Sequence, residues 1–189
     1  MKQNKSGQFF FRKMYRKLYK FIVESISPIT YAKKIGVNIK DGSCIYGKIN
    51  YSTEPWLITI GRNSHITNGV TFETHDGGTL LFRNIIPDLE ITKPIRIGDE
   101  CYIGNNVILL PGVTIGNRCI IGAGAIVTHN IPDNSVAVGV PAKVIKTTDE
   151  YFAKIKKESI HLGHLKGKEK DIALMKYYNY QGVSKGIYF

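Results

Sequence analysis

The chain has 189 residues, 43% of them hydrophobic, enough for one domain with a sizeable core and too few for two ordinary ones. Its formal net charge of +11 is unevenly placed, because Lys2, Lys5, Arg12, Lys13, Arg16, Lys17 and Lys20 stand in the first twenty residues with no acidic partner. Three cysteines without paired spacing exclude a disulfide framework and a CxxC metal site, and no apolar run suits a signal peptide or a spanning helix, so a cytoplasmic protein is expected.

Residues 1–34 form a basic N-terminal segment. Within it Phe11, Tyr15, Leu18, Ile22 and Ile26 recur at helical spacing, with the lysines and arginines largely opposite, which predicts an amphipathic helix over 9–26. Two readings stand: peripheral attachment to an anionic membrane surface at the inner face, or packing across the end of the domain with the lysines solvated. No nucleic-acid-binding motif accompanies the charge, so nucleic acid is not an expected partner.

The middle of the chain repeats. Ile97, Ile103, Leu109, Ile115, Ile121 and Val127 fall every six residues, and each is followed four positions on by Cys101, Val107, Val113, Cys119, Ala125 and Ile131. A period of six matches neither a helix nor a free-standing strand, but it fits a β-solenoid in which three hexads make one triangular coil. The aliphatic residue fills the interior, and glycine, asparagine and aspartate turn the corners. The register continues at Ile60, Ile66 and Phe72, with Ser64 and Val70 as partners, and more loosely at Ile39 and Ile45. Residues 35–146 are therefore predicted to be an all-β solenoid domain. Between 73 and 93 the period is lost, and such an excursion from a rigid scaffold is a common seat of function. Cys101 and Cys119, eighteen apart, are expected to stack as buried small hydrophobes.

Residues 147–189 read as a helical tail. Thr147 and Glu150 form a capping box ahead of Tyr151, Phe152 and Ile155, predicting a helix over 148–160, with a second short helix at 168–178.

From Pro94 to Ile145 the string PIRIGDECYIGNNVILLPGVTIGNRCIIGAGAIVTHNIPDNSVAVGVPAKVI resembles the C-terminal half of the galactoside, maltose and xenobiotic acetyltransferases. Upstream, THDGG after GVTFE resembles the stretch that carries the catalytic histidine of sugar O-acetyltransferases. The resemblance, over residues 35–146, implies a left-handed parallel β-helix, a homotrimer, and acetyl-coenzyme A as co-substrate. It assigns His75 as the catalytic histidine and Asn105, Ala123, Thr128, Lys143 and Lys146 to coenzyme A binding. His129 stands where lysine is common. Asn50, with Glu54 near it, falls where relatives place an acceptor-binding residue.

Such a transfer needs a base for the acceptor proton and donors for the oxyanion. His75, between Thr74 and Asp76 in the excursion, has a suitable side chain. Asp76 either orients the ring at the acceptor site or starts the turn into Gly77 and Gly78. Inward-facing Cys101 and Cys119 do not suit a covalent route, so direct transfer is expected. The pantetheine arm is expected along the backbone at Gly104, Asn105, Gly122 and Ala123, with Lys143 and Lys146 at the phosphate end. Histidine spacing does not suit a zinc site. The leading expectation is O-acetylation of a sugar hydroxyl of a surface polysaccharide or its precursor. An amino-sugar N-acetyltransferase, an antibiotic-modifying enzyme and a non-catalytic scaffold are the alternatives.

Overall fold

The computed structural model describes residues 23, 24 and 26–180, so the basic helix expected over 9–26 lies almost wholly outside the described residues. Two compact units are present, one through Glu150 and one from Tyr151. The first opens with helix α1 (Pro28–Lys34), where a proline in the first turn supplies a preset φ and Ala32 is buried.

Very short strands then wind into three parallel faces. The first face carries β1 (Asn38–Ile39), β3 (Ile58–Ile60), β6 (Ile95–Ile97) and β9 (Thr114–Ile115). The second carries β2 (Cys44–Ile45), β4 (His65–Ile66), β7 (Tyr102–Ile103), β10 (Ile120–Ile121) and β12 (Ser135–Val138), closed by the antiparallel β13 (Lys143–Thr147). The third carries β5 (Thr71–Phe72), β8 (Ile108–Leu109) and β11 (Ile126–Val127).

The hexad positions are the core. Ile97, Ile103, Leu109, Ile115, Ile121 and Val127 and their six partners are all buried, as are Ile60, Ile66, Phe72, Ser64 and Val70. Burying one such aliphatic side chain stabilises by about 1.5–3 kcal/mol, and the stacked register repeats the gain coil after coil. Ile66 pairs with Ile103 and Ile103 with Ile121, while Phe72 pairs with Leu109 and Leu109 with Val127. Cys101 and Cys119 sit inside this stack, their thiols donating to the carbonyls of Gly116 and Pro132, each at 3.0 Å.

Corners explain the polar half of the repeat. Asp99 accepts the Arg62 N–H at 2.7 Å, Asn117 the Asp99 N–H at 2.9 Å and Asp133 the Asn117 N–H at 2.7 Å, a side-chain ladder that satisfies amides the turns would leave unpaired. Asn63, Glu100, Asn106, Arg118 and Asn134 take positive φ at these turns.

The excursion leaves after β5 and returns before β6 without disturbing the stack, since Ile60 pairs with Ile97 and Ile97 with Ile115. It contains a 3-10 turn over Gly77–Phe82, then an irregular return. Leu80, Leu81, Phe82, Ile85 and Ile86 are exposed on it, and Thr79 is buried.

At the end of the first unit the expected capping box forms. Glu150 accepts the Thr147 N–H at 2.7 Å, and Thr147 accepts the Glu150 N–H at 3.1 Å, opening α2 (Thr148–Glu158). The second unit contains the remainder of α2 and α3 (Gly167–Tyr177). No described helix is long and apolar enough to cross a membrane.

Candidate active site

The coil preceding the excursion delivers its partner residues. Asn50 bridges to Thr71, and Tyr51, buried, stacks on Phe72 with ring centroids 5.9 Å apart, so Ser52, Thr53 and Glu54 lie over Thr74 and His75. Ser52 holds φ +58°, uncommon for a residue with a side chain, and the Asn50 carboxamide oxygen accepts its N–H at 3.1 Å.

Glu54 is the hub. Its Oε2 lies 3.0 Å from His75 Nδ1 and accepts the Thr74 hydroxyl at 2.6 Å, while Oε1 accepts the Thr53 hydroxyl at 2.6 Å. Ser52 Oγ and Thr53 Oγ1 each stand 3.4 Å from the same ring nitrogen. The Thr53 and Thr74 hydroxyls, and then His75, hold the Glu54 carboxyl down at about 2 against the opposing effect of burial. The hydrogen bond to Glu54 above all raises the His75 pKa, with the charges of Glu54, Glu73 and Glu90 adding to it and partial desolvation opposing. An ionised carboxylate can only accept, so Nδ1 carries the proton and Nε2 keeps its lone pair. The His75 side chain retains 36% of its accessible surface, so the ring is open to a second molecule.

Asp76 does not reach the ring. Its carboxylate accepts the Gly78 N–H at 2.8 Å and starts the 3-10 turn, which is one of the two roles the sequence left open. The backbone on either side of His75 is tied down: Asp76 N–H donates to Ile91 at 2.9 Å and Lys93 N–H to Thr74 at 2.8 Å, with His75 paired to Thr92 between them.

The residues expected at the cofactor lie elsewhere on the coil. Gly104, Asn105, Gly122 and Ala123 follow β7 and β10 at the corner between the second and third faces, whereas His75 follows β5 at the far end of the third. Asn105 and Ala123 are exposed. Gly104 and Gly122 donate their N–H groups to Ile121 and Ala137, so stacking uses those donors. A Cβ on Gly104 would stand 2.6 Å from the Ala123 nitrogen, which is why only glycine fits there. Lys143 and Lys146 project from β13 opposite Val138 and Val136, and Val138 covers Gly122, so Lys143 belongs to the same corner. Thr128 follows β11, at the corner where the excursion departs two coils away, and its hydroxyl lies 2.8 Å from His129 Nδ1. Among the described residues no group of three or more histidine, cysteine, aspartate or glutamate side chains could hold a metal ion.

Comparison with known proteins agrees with this architecture. The model of the bacterial transferase hexapeptide family (six repeats) matches residues 94–129. CapG of Staphylococcus aureus is 42% identical over 146 residues, 76% of this chain and 84% of that protein. Galactoside O-acetyltransferase of Escherichia coli K12 is 38% identical over 131 residues, 66% of this chain and 64% of that protein. This chain is an acyltransferase of the hexapeptide-repeat acetyltransferase family. Among solved structures, a maltose O-acetyltransferase from Clostridium difficile 630 matches with TM-score 0.53 at 27% identity, over 71% of this chain and 84% of that one. A galactoside acetyltransferase in complex with coenzyme A shares the fold, with TM-score 0.51 at 23% identity over 89% and 92%.

For a member of this family, the residues around the histidine that sequence reading passed over are Ser52, Thr53 and Thr74, together with the contact that Glu54 makes. The signal available was register. Glu54 and His75 are 21 positions apart, one coil plus a short insertion, and counting back from the excursion would have laid one over the other.

Proposed function

We propose that this hexapeptide-repeat acetyltransferase moves the acetyl group of acetyl-coenzyme A directly to a sugar hydroxyl of a surface polysaccharide or its precursor, with His75 as general base and Glu54 as its positioning residue. The observation that carries the reading is the 3.0 Å contact between Glu54 Oε2 and His75 Nδ1, which leaves Nε2 as the free basic nitrogen. His75 Nε2 takes the acceptor hydroxyl proton as that oxygen attacks the thioester carbonyl. Glu54 stabilises the imidazolium that forms. The C–S bond then breaks, and the proton passes from Nε2 to the departing coenzyme A sulfur. Asn105, Ala123, Thr128, Lys143 and Lys146 are the residues proposed to hold coenzyme A, the two lysines meeting its phosphates.

The left hand of the coil and a trimer belong to the same proposal. His75 and the Asn105–Ala123 corner stand at opposite ends of the third face, and a face of about five extended residues is roughly 16 Å wide. A neighbouring copy that supplies the opposite corner would bring the two halves together, and this supports a homotrimer with shared sites.

The test is an acceptor screen read by release of the coenzyme A thiol. His75→Ala is expected to lower kcat by about 10² or more while acetyl-coenzyme A binding stays near wild type. An unimpaired variant refutes the assignment.

A further inference from the structure

Resting on the reading of His75 as the base, we propose that Arg83 and Glu90 are positioning residues, forming a clasp across the excursion that holds His75 in its working geometry. Arg83 Nη2 donates to Glu90 Oε2 at 2.6 Å and Arg83 Nε to the Leu89 carbonyl at 3.1 Å. The other Glu90 oxygen accepts the Thr92 hydroxyl. One guanidinium therefore grips the returning strand at two successive residues, and the carboxylate it grips is bonded in turn to Thr92, the residue paired with His75.

The consequence follows from what holds that strand. Beyond the neck of the excursion, where His75 pairs with Thr92, Lys93 leads into β6 and the buried Ile95, so the C-terminal side of Thr92 is anchored in the coil. On its N-terminal side residues 83–88 are all exposed, and the clasp is a side-chain tether across this return. Opening it would free the Asp76-to-Ile91 and Lys93-to-Thr74 hydrogen bonds to break, and these flank His75 directly. An exposed ion pair alone contributes little, because water screens it. Here the pair is one link in a chain of hydrogen bonds running from Arg83 through Glu90 to Thr92, with a second Arg83 bond to Leu89 beside it, and geometry, more than charge, gives it leverage.

The experiment combines amide exchange with kinetics on the full chain. Arg83→Met and Glu90→Gln are each expected to speed exchange at the Asp76 and Lys93 amides, leave exchange in β7–β8 unchanged, and lower kcat about three- to tenfold, the size of one lost hydrogen bond. KM for acetyl-coenzyme A should not move. The double variant should be no worse than the poorer single one, since either change breaks the same Arg83–Glu90 link. Thr92→Ser should retain both properties and Thr92→Val lose them. Unchanged neck exchange overturns the clasp. Faster neck exchange with unaltered kcat, or losses that multiply in the double variant, overturns its role in positioning. A wild-type chain that acetylates no acceptor overturns the reading of His75 and with it the positioning role, while the exchange measurement still decides whether the clasp exists.

Discussion

Replacing Glu54 with glutamine separates two roles that the same position could serve. In the structure one Glu54 oxygen bonds both His75 and Thr74, the other bonds Thr53, and the carboxyl is held at about 2, so Glu54 is ionised wherever the enzyme works. Its interaction with the ring strengthens as His75 gains a proton, and a hydrogen bond to a charged group contributes about 1.5–3 kcal/mol. Losing it in the transition state lowers kcat by about 10- to 150-fold. Because the His75 pKa is raised chiefly by Glu54, the rate of the wild-type enzyme should climb with pH through a midpoint above the ordinary histidine value, the neutral ring being the active form. In Glu54→Gln that midpoint should fall. The shift works against the loss at low pH, so kcat is compared on the alkaline plateau. The assay is a kcat and KM profile between about pH 5.5 and 9. A variant with unchanged kcat, an unmoved midpoint and a raised KM for the acceptor would make Glu54 an acceptor ligand and refute the positioning role.

Cys101→Ala is expected to cost about 1–2 kcal/mol through lost packing while turnover of the folded fraction persists; complete loss of turnover in a folded, acetyl-coenzyme A-binding variant would instead favour covalent catalysis. The neighbouring Cys119 thiol and burial both push the Cys101 thiol upward in pKa, away from a reactive thiolate. Gly104→Ala forces a Cβ against the backbone of the next coil and should cost about 1–3 kcal/mol in chemical denaturation, whereas an unchanged midpoint would mean that the coils separate easily. Co-refolding equal amounts of His75→Ala and Ala123→Trp chains should restore about a quarter of wild-type sites if each site joins two copies, and verified mixed trimers without activity would remove the shared-site proposal.

How much of this was legible beforehand differs by region. From Ile97 to Ile131 the interior side chains are aliphatic or small at strict spacing, because every coil must fill the same triangular cross-section, and the string of residues displays that constraint directly. Between Tyr51 and Ile60 the interior spacing is nine instead of six, an insertion taken up by Ser52 at positive φ and the 3-10 turn Pro55–Leu57, so counting in sixes slips by three where the partner of His75 resides. Register lays Glu54 over His75 as it lays Asn50 over Thr71, but the turn that aims the carboxylate at the ring is shaped by one side-chain hydrogen bond, which no periodicity reports. Asp76 illustrates the converse: adjacent to the histidine in sequence, it spends its carboxylate on Gly78, while the residue that reaches the ring comes from the coil before.

The excursion departs and returns at one corner, with the pairings on either side of it intact. For the coil it is a loop with both ends already fixed, and lengthening such a loop is cheap: doubling it costs only about 0.6 kcal/mol in closure entropy. The segment beyond His75 can therefore be exchanged for a longer, shorter or differently decorated one without renegotiating a single core contact. On the proposed reading acceptor preference is a removable module on a fixed frame, and grafting a foreign segment between Asp76 and Ile91, which keeps His75 and its Thr92 partner, is a direct way to retarget the enzyme.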